Sequence, residues 1–129
     1  MSADVEGPGE VVRSGPVAGS IQVSPDTVEA GGELEFTVSN EGSETLTHGV
    51  CPSYERLDGD AWVEATEDVL GGAFACIELA AVVEPGEAGA PQTVTVADAI
   101  DGTYRAVLGV TGEAGRGITL RDAFSAYPP

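Results

Sequence analysis

The chain has 129 residues, 22 of them acidic against five arginines and no lysine, for a formal charge of −17. That length suits one domain with an ordinary core and is too short for two good ones. The charge repels phosphate backbones, which argues against duplex DNA or RNA as a partner. A hydrophobic content of 42% argues against a disordered acidic tail. No apolar run approaches the ~20 residues of a membrane span, so no membrane insertion is expected. Residues 1–8 have neither the basic start nor the apolar centre of a secretory signal. Self-repulsion on this scale is screened by salt, the Debye length falling from about 10 Å at 0.1 M to about 3 Å at 1 M. A salt-rich setting, and with it a halophilic origin, would suit such a surface.

In chain order, residues 1–19 hold Gly7, Pro8, Gly9, Gly15, Pro16 and Gly19 among small and charged residues. So many breakers predict a flexible arm or linker, with Val11 and Val12 able to add a short edge strand. A globular domain is expected over 20–129. It opens with a short strand at Ser20–Val23, closed by Ser24-Pro25-Asp26, which Thr27-Val28-Glu29 could continue. In Glu33–Asn40 the apolar Leu34, Phe36 and Val38 alternate with polar neighbours, the mark of a strand with one buried face. A turn at Asn40-Glu41-Gly42-Ser43 follows. Thr45-Leu46-Thr47 resumes extended chain.

Ser53–Leu57 and Ala61–Ala65 flank Asp58-Gly59-Asp60, and Asp-Gly suits the tight turns that match strand twist, so a hairpin is predicted. Trp62, the only tryptophan, is expected to cover one end of the core with up to about 200 Å² of buried area. Thr66 could cap a single helical turn that Gly71-Gly72 would end. Residues 66–81 otherwise read as loop. Glu84-Pro85-Gly86-Glu87 is a turn, and Gln92–Val96 a strand. Asp101-Gly102 then turns into a strand whose Tyr104, Ala106, Leu108 and Val110 share one face. Ile118–Ala126 closes the chain. Asp122 falls on the face of Leu120 and Phe124, which predicts a bulge or a partner such as an arginine.

About seven antiparallel strands at this spacing predict an all-β, immunoglobulin-like β-sandwich. Tyr104 stands at the start of the penultimate strand, where such sandwiches commonly return a tyrosine hydroxyl to nearby backbone. The chain resembles the bacterial immunoglobulin-like domains of surface and secreted proteins. That resemblance is carried by Leu34–Asn40, the Tyr54–Trp62 hairpin, Glu84-Pro85-Gly86-Glu87, Asp101–Arg105 and Phe124, in that order. It implies a fold and a structural or adhesive role, with no catalytic residues to transfer. Phe36, Phe124, Trp62 and Tyr104 are the expected structural residues.

Cys51 and Cys76 are expected to form a disulfide, closing a loop of about 25 residues worth roughly 3.5 kcal/mol in the chain-entropy model. Two small buried thiols are the alternative. His48, Cys51 and Cys76 lack the fourth ligand and the spacing of a zinc site. Asp58-Gly59-Asp60 resembles a fragment of a calcium loop without its later ligands, and Glu67-Asp68 would hold calcium only weakly. His48 is the only histidine, and no nucleophile elbow or phosphate-cradling loop occurs. No enzyme activity, metal or cofactor is expected.

An outward-facing fold with a disulfide but no export signal fits either an excised domain with an added Met or a virion protein that leaves on lysis. The more specific expectation is a capsid-decoration protein whose arm, with Val11 and Val12, grips capsid or surface-layer subunits or another copy by strand addition. It would reside on a virion or cell surface and could be a homo-oligomer. The alternative is a protein- or glycan-binding module or inhibitor, using Tyr54, Trp62 and residues 66–75.

Overall fold

The computed structural model describes residues 10–71, 79–98 and 100–128. They form an all-β, immunoglobulin-like sandwich of two sheets. The first has the order β1 (Val12–Ser14), β2 (Val17–Ser24), β4 (Glu33–Asn40), β9 (Gln92–Thr95). The second runs β3 (Thr27–Glu29), β11 (Gly117–Tyr127), β10 (Gly102–Thr111), β5 (Leu46–Gly49), β8 (Ala80–Val83). The hairpin β6 (Ser53–Asp58) and β7 (Ala61–Glu64) joins the second sheet through β6 on β10. The short helix α1 (Thr66–Leu70) follows it.

β5 and β6 pair successive stretches of β10: His48 faces Val110, and Tyr54 faces Ala106. The chain between them bends at Val50. One strand position is therefore filled by β5 and β6 end to end, and the next outward by β8 and β7. This interruption raises the number of strands above the about seven expected. One pair also departs from the expected antiparallel scheme. After the Ser24–Pro25 peptide, which is cis, the chain leaves the first sheet, and β3 lies parallel to the end of β11.

The core is built by the alternation read from the sequence. Leu34, Phe36 and Val38 of β4 are buried against Tyr104, Ala106, Leu108 and Val110 of β10 and Leu120 and Phe124 of β11. Phe124 stacks on Tyr104 with ring centroids 5.8 Å apart and meets Tyr54 edge-on at 6.3 Å, both favoured aromatic arrangements.

The breaker-rich stretch expected to be an arm through residue 19 is strand from Val12, and Val17 and Ala18 are fully buried. Its glycines serve the packing. At Gly19 an added Cβ would lie 2.9 Å from the Ser39 carbonyl and 3.1 Å from Leu46, so the sheets approach there as only glycine permits.

Two further expectations are corrected. Thr66 does not cap α1: Ala65 holds that position with no side-chain hydrogen bond, while the Thr66 hydroxyl accepts from Tyr54 N–H at 3.0 Å. Asp122 causes no bulge, since β10 and β11 pair without interruption from Gly102–Ala126 to Thr111–Gly117. Nor is its partner an arginine. Its carboxylate accepts the Val23 N–H at 2.7 Å and the Ala123 N–H at 3.0 Å, clamping β2 where β1 no longer pairs with it. Burial pushes this carboxyl above its ordinary range.

The two ends of the sandwich differ. At one, Asn40 donates to the Glu44 and Val83 carbonyls at 2.7 and 2.9 Å and accepts from Gly42 N–H at 2.9 Å. Thr45 N–H donates to Glu113, the Thr45 hydroxyl to Glu84, and Arg116 to Ser14. At the other end a cleft of about 540 Å³ opens beside α1, lined by Arg56, Glu67, Asp68, Asp98, Asp101 and Tyr104 among others.

Candidate interaction surface

The hairpin sets which aromatic residues reach the surface. Asp58 pairs with Ala61 around the two-residue turn, where Gly59 takes φ +67°, a value an L side chain resists. Leu57 then pairs with Trp62 and Arg56 with Val63. Because faces alternate along a strand, Trp62 lies on the side opposite Tyr54. Tyr54, expected to meet a partner, is 2% exposed. Its backbone bonds to Thr66 from the adjoining helix, and burial pushes its phenol far above the usual range. Trp62, expected to cover the core, instead sits half-buried outside it.

Trp62 is part of a small cluster on the outer face of the second sheet. The Arg105 guanidinium lies 4.3 Å from the Trp62 ring centroid and 2.7 Å from a Glu55 carboxylate oxygen. A cation over an indole face with a carboxylate at its edge orders all three side chains. Arg105–Glu55 is the one ion pair among the described residues. Nearby, the Thr66 hydroxyl and N–H hold the Glu64 carboxyl below its ordinary range.

From this cluster the outer face continues through Val107 and Gly109 on β10, Arg121 and Ala123 on β11, and Val82 on β8. No acidic side chain stands on the outward side of β10 or β11, and Asp122, the single acid in either strand, points inward. Gly109 and Gly49 leave open space where a side chain would stand, so the face is flat. Val82 is 58% and Leu79 60% exposed at β8, the outermost strand on that side among the described residues. The outer face of the first sheet is of another kind. Its exposed residues include Arg13, Gln22, Ser24, Glu33, Glu35, Thr93 and Thr95, with no large apolar side chain.

The remaining residues singled out in the sequence scatter. Tyr104 takes the corner position: its hydroxyl lies 3.3 Å from Asp101 N and 3.5 Å from Asp101 O. Phe36 and Phe124 are core. Val11 is half exposed and Val12 packs at the core's edge. His48 is buried, with Nδ1 2.7 Å from the Gly49 carbonyl. Cys51 is exposed in the connection between β5 and β6. Cys76, and residues 72–75 of the expected binding loop, lie outside the described residues. Glu67 and Asp68 line the open-end cleft, but among the described residues no group of three or more His, Cys, Asp or Glu is arranged to hold a metal ion. Asn40, Asp122 and Arg105 organise the structure without having been singled out as a site in the sequence.

No protein-family model matches the chain, and no curated protein matches it in sequence. Among solved structures, a family 123 glycoside hydrolase from Clostridium perfringens is similar at 12% identity and a TM-score of 0.49, over 88% of this chain and 28% of that one. The PapD-like domain 7 of human CEP192 is similar at 17% identity and a TM-score of 0.47, over 100% of this chain and 96% of that one. The sporulation control protein Spo0M from Bacillus subtilis is similar at 15% identity and a TM-score of 0.48, over 86% of this chain and 50% of that one. This chain thus spans little more than a quarter of the hydrolase and half of Spo0M.

Proposed function

We propose that this chain is a non-catalytic, outward-facing structural or adhesive module of the bacterial immunoglobulin-like type, and that its specific role is to decorate a virion capsid. The observation that carries the reading is the division of its surface. A chain of charge −17 leaves the outward side of its two longest strands free of acid, while acidic side chains crowd its turns. Such a layout suits a module that docks by one face and presents charge to a salty medium. The carboxyl that burial pushes upward, Asp122, is engaged by two backbone N–H groups. It serves as a clamp, not as an acid or base.

Strand addition by the N-terminal segment belongs to the same reading, with β1 as the edge that would receive a neighbour. Truncation to test it should stop before Val12, because removing residues 1–19 would take away β1 and buried Val17 and Ala18. A Cys51–Cys76 bridge is likewise part of the proposal, checked by intact mass before and after reduction. The test of the role itself is immunogold electron microscopy of the native source. Regular labelling of particle surfaces is expected; label confined to cell interiors would overturn it. A second reading, recognition of a soluble protein or glycan at the open end, is favoured by the cleft beside α1. Cell-surface labelling together with pull-down of one partner, lost in Arg56→Ala, would decide for it.

A further inference from the structure

We infer that the outer face of the second sheet is a self-association surface that pairs two copies of this chain face to face. Three observations converge on a second copy as its occupant. The first is charge. Two chains of −17 each repel wherever their acidic turns meet, so stable contact requires a patch without net charge. This face has one, with Arg105 and Arg121 balanced by Glu55 and Glu64. The layout is also self-complementary. A two-fold axis between β10 and the β5–β6 line lays β10 of one copy over β6 of the other and β11 over β7, setting Arg105 and Arg121 of each face against Glu55 and Glu64 of its mate.

The second observation is shape. Gly109 and Gly49 leave open space above the sheet, and Ala80 and Ala123 add little height, so two such faces can approach to the roughly 10 Å of stacked sheets. The third is area. β11, β10, the β5–β6 line and the β8–β7 line stand four abreast, with β10 ten residues long. At ~4.8 Å between strands and ~3.3 Å per residue this is roughly 600 Å² per copy and 1,200 Å² per pair, the lower bound of a stable interface. Trp62, half-buried and fixed by Arg105, supplies an aromatic anchor beside it.

Pairing rests on the same acid-free face as the proposed function and names a second copy as its occupant, leaving the β1 edge for a particle; the two fail separately, because a chain that never decorates a particle still dimerises. The test is sedimentation velocity of the full chain at roughly 1–100 µM in about 2 M KCl, where screening leaves charge repulsion short-ranged. A concentration-dependent dimer is expected. Gly109→Glu and Val82→Glu should each weaken it by about tenfold or more, and Thr37→Glu on the first sheet should leave it unchanged. Gly109 lies outside the positive-φ region and has open space around it, so the substitution is compatible with the fold. Should it nonetheless unfold, Arg121→Glu at an exposed position replaces it. A monomer throughout the range, or a dimer lost only in Thr37→Glu, would overturn the inference.

Discussion

The inner sides of the two sheets are alike and their outer sides are not. Inside, each sheet offers the same alternating apolar row, with Phe36 and Phe124 both nearly fully buried. Outside, the central strand of the first sheet carries Glu33 and Glu35, whereas β10 carries Arg105, Val107 and Gly109. Core formation constrains only the inner rows, so an outer row is set by what it faces. The first sheet's is suited to water, and the second's, under the proposed pairing, to another copy.

Three perturbations bear on that comparison. The largest tests the equivalence of the inner rows. Phe36→Ala and Phe124→Ala should each cost about 3–5 kcal/mol, read from urea unfolding; a large cost at one position alone would break the equivalence. Next comes the tie that holds the sheets together at the closed end. Asn40, on β4 of the first sheet, donates to Val83 of the second. Asn40→Ala should cost about 2–3 kcal/mol by leaving buried backbone groups unsatisfied, and a neutral result would show that the sheets are joined elsewhere. The smallest concerns Asp122, whose carboxyl burial raises. The folded chain keeps this proton in a window just above the ordinary aspartate range, where the unfolded chain has already released it. This contribution to stability is therefore present at low pH and lost as pH rises through the window. Asp122→Asn should flatten that fall just above the ordinary aspartate range, measured as the urea midpoint against pH; an unchanged slope would assign it to other groups.

Much of this was legible in the sequence. Leu34, Phe36 and Val38 alternate cleanly, as do Tyr104 to Val110, and the Asp58-Gly59 turn placed the hairpin. That turn also held unused information. A two-residue loop pairs Leu57 with Trp62, so Trp62 and Tyr54 must face opposite sides, and only one of them could be core. The other misses have long-range causes. Breakers at Gly15, Pro16 and Gly19 suggested an arm, yet Gly19 is required by close approach to Ser39 and Leu46, residues distant in sequence. The partner of Asp122 is the backbone N–H of Val23, ninety-nine positions away, and no side-chain pattern marks a backbone donor. The acid-free face of β10 and β11 became visible only when register showed which way each residue points.

The most direct measurement of the difference between the faces is hydrogen exchange of the native chain in high salt, compared between dilute and concentrated protein. Concentration-dependent protection should appear in peptides covering 103–111 and 117–125 and be absent from 33–39. Protection confined to 33–39, or none in either region, would contradict the assignment of the second sheet's outer face as the docking surface.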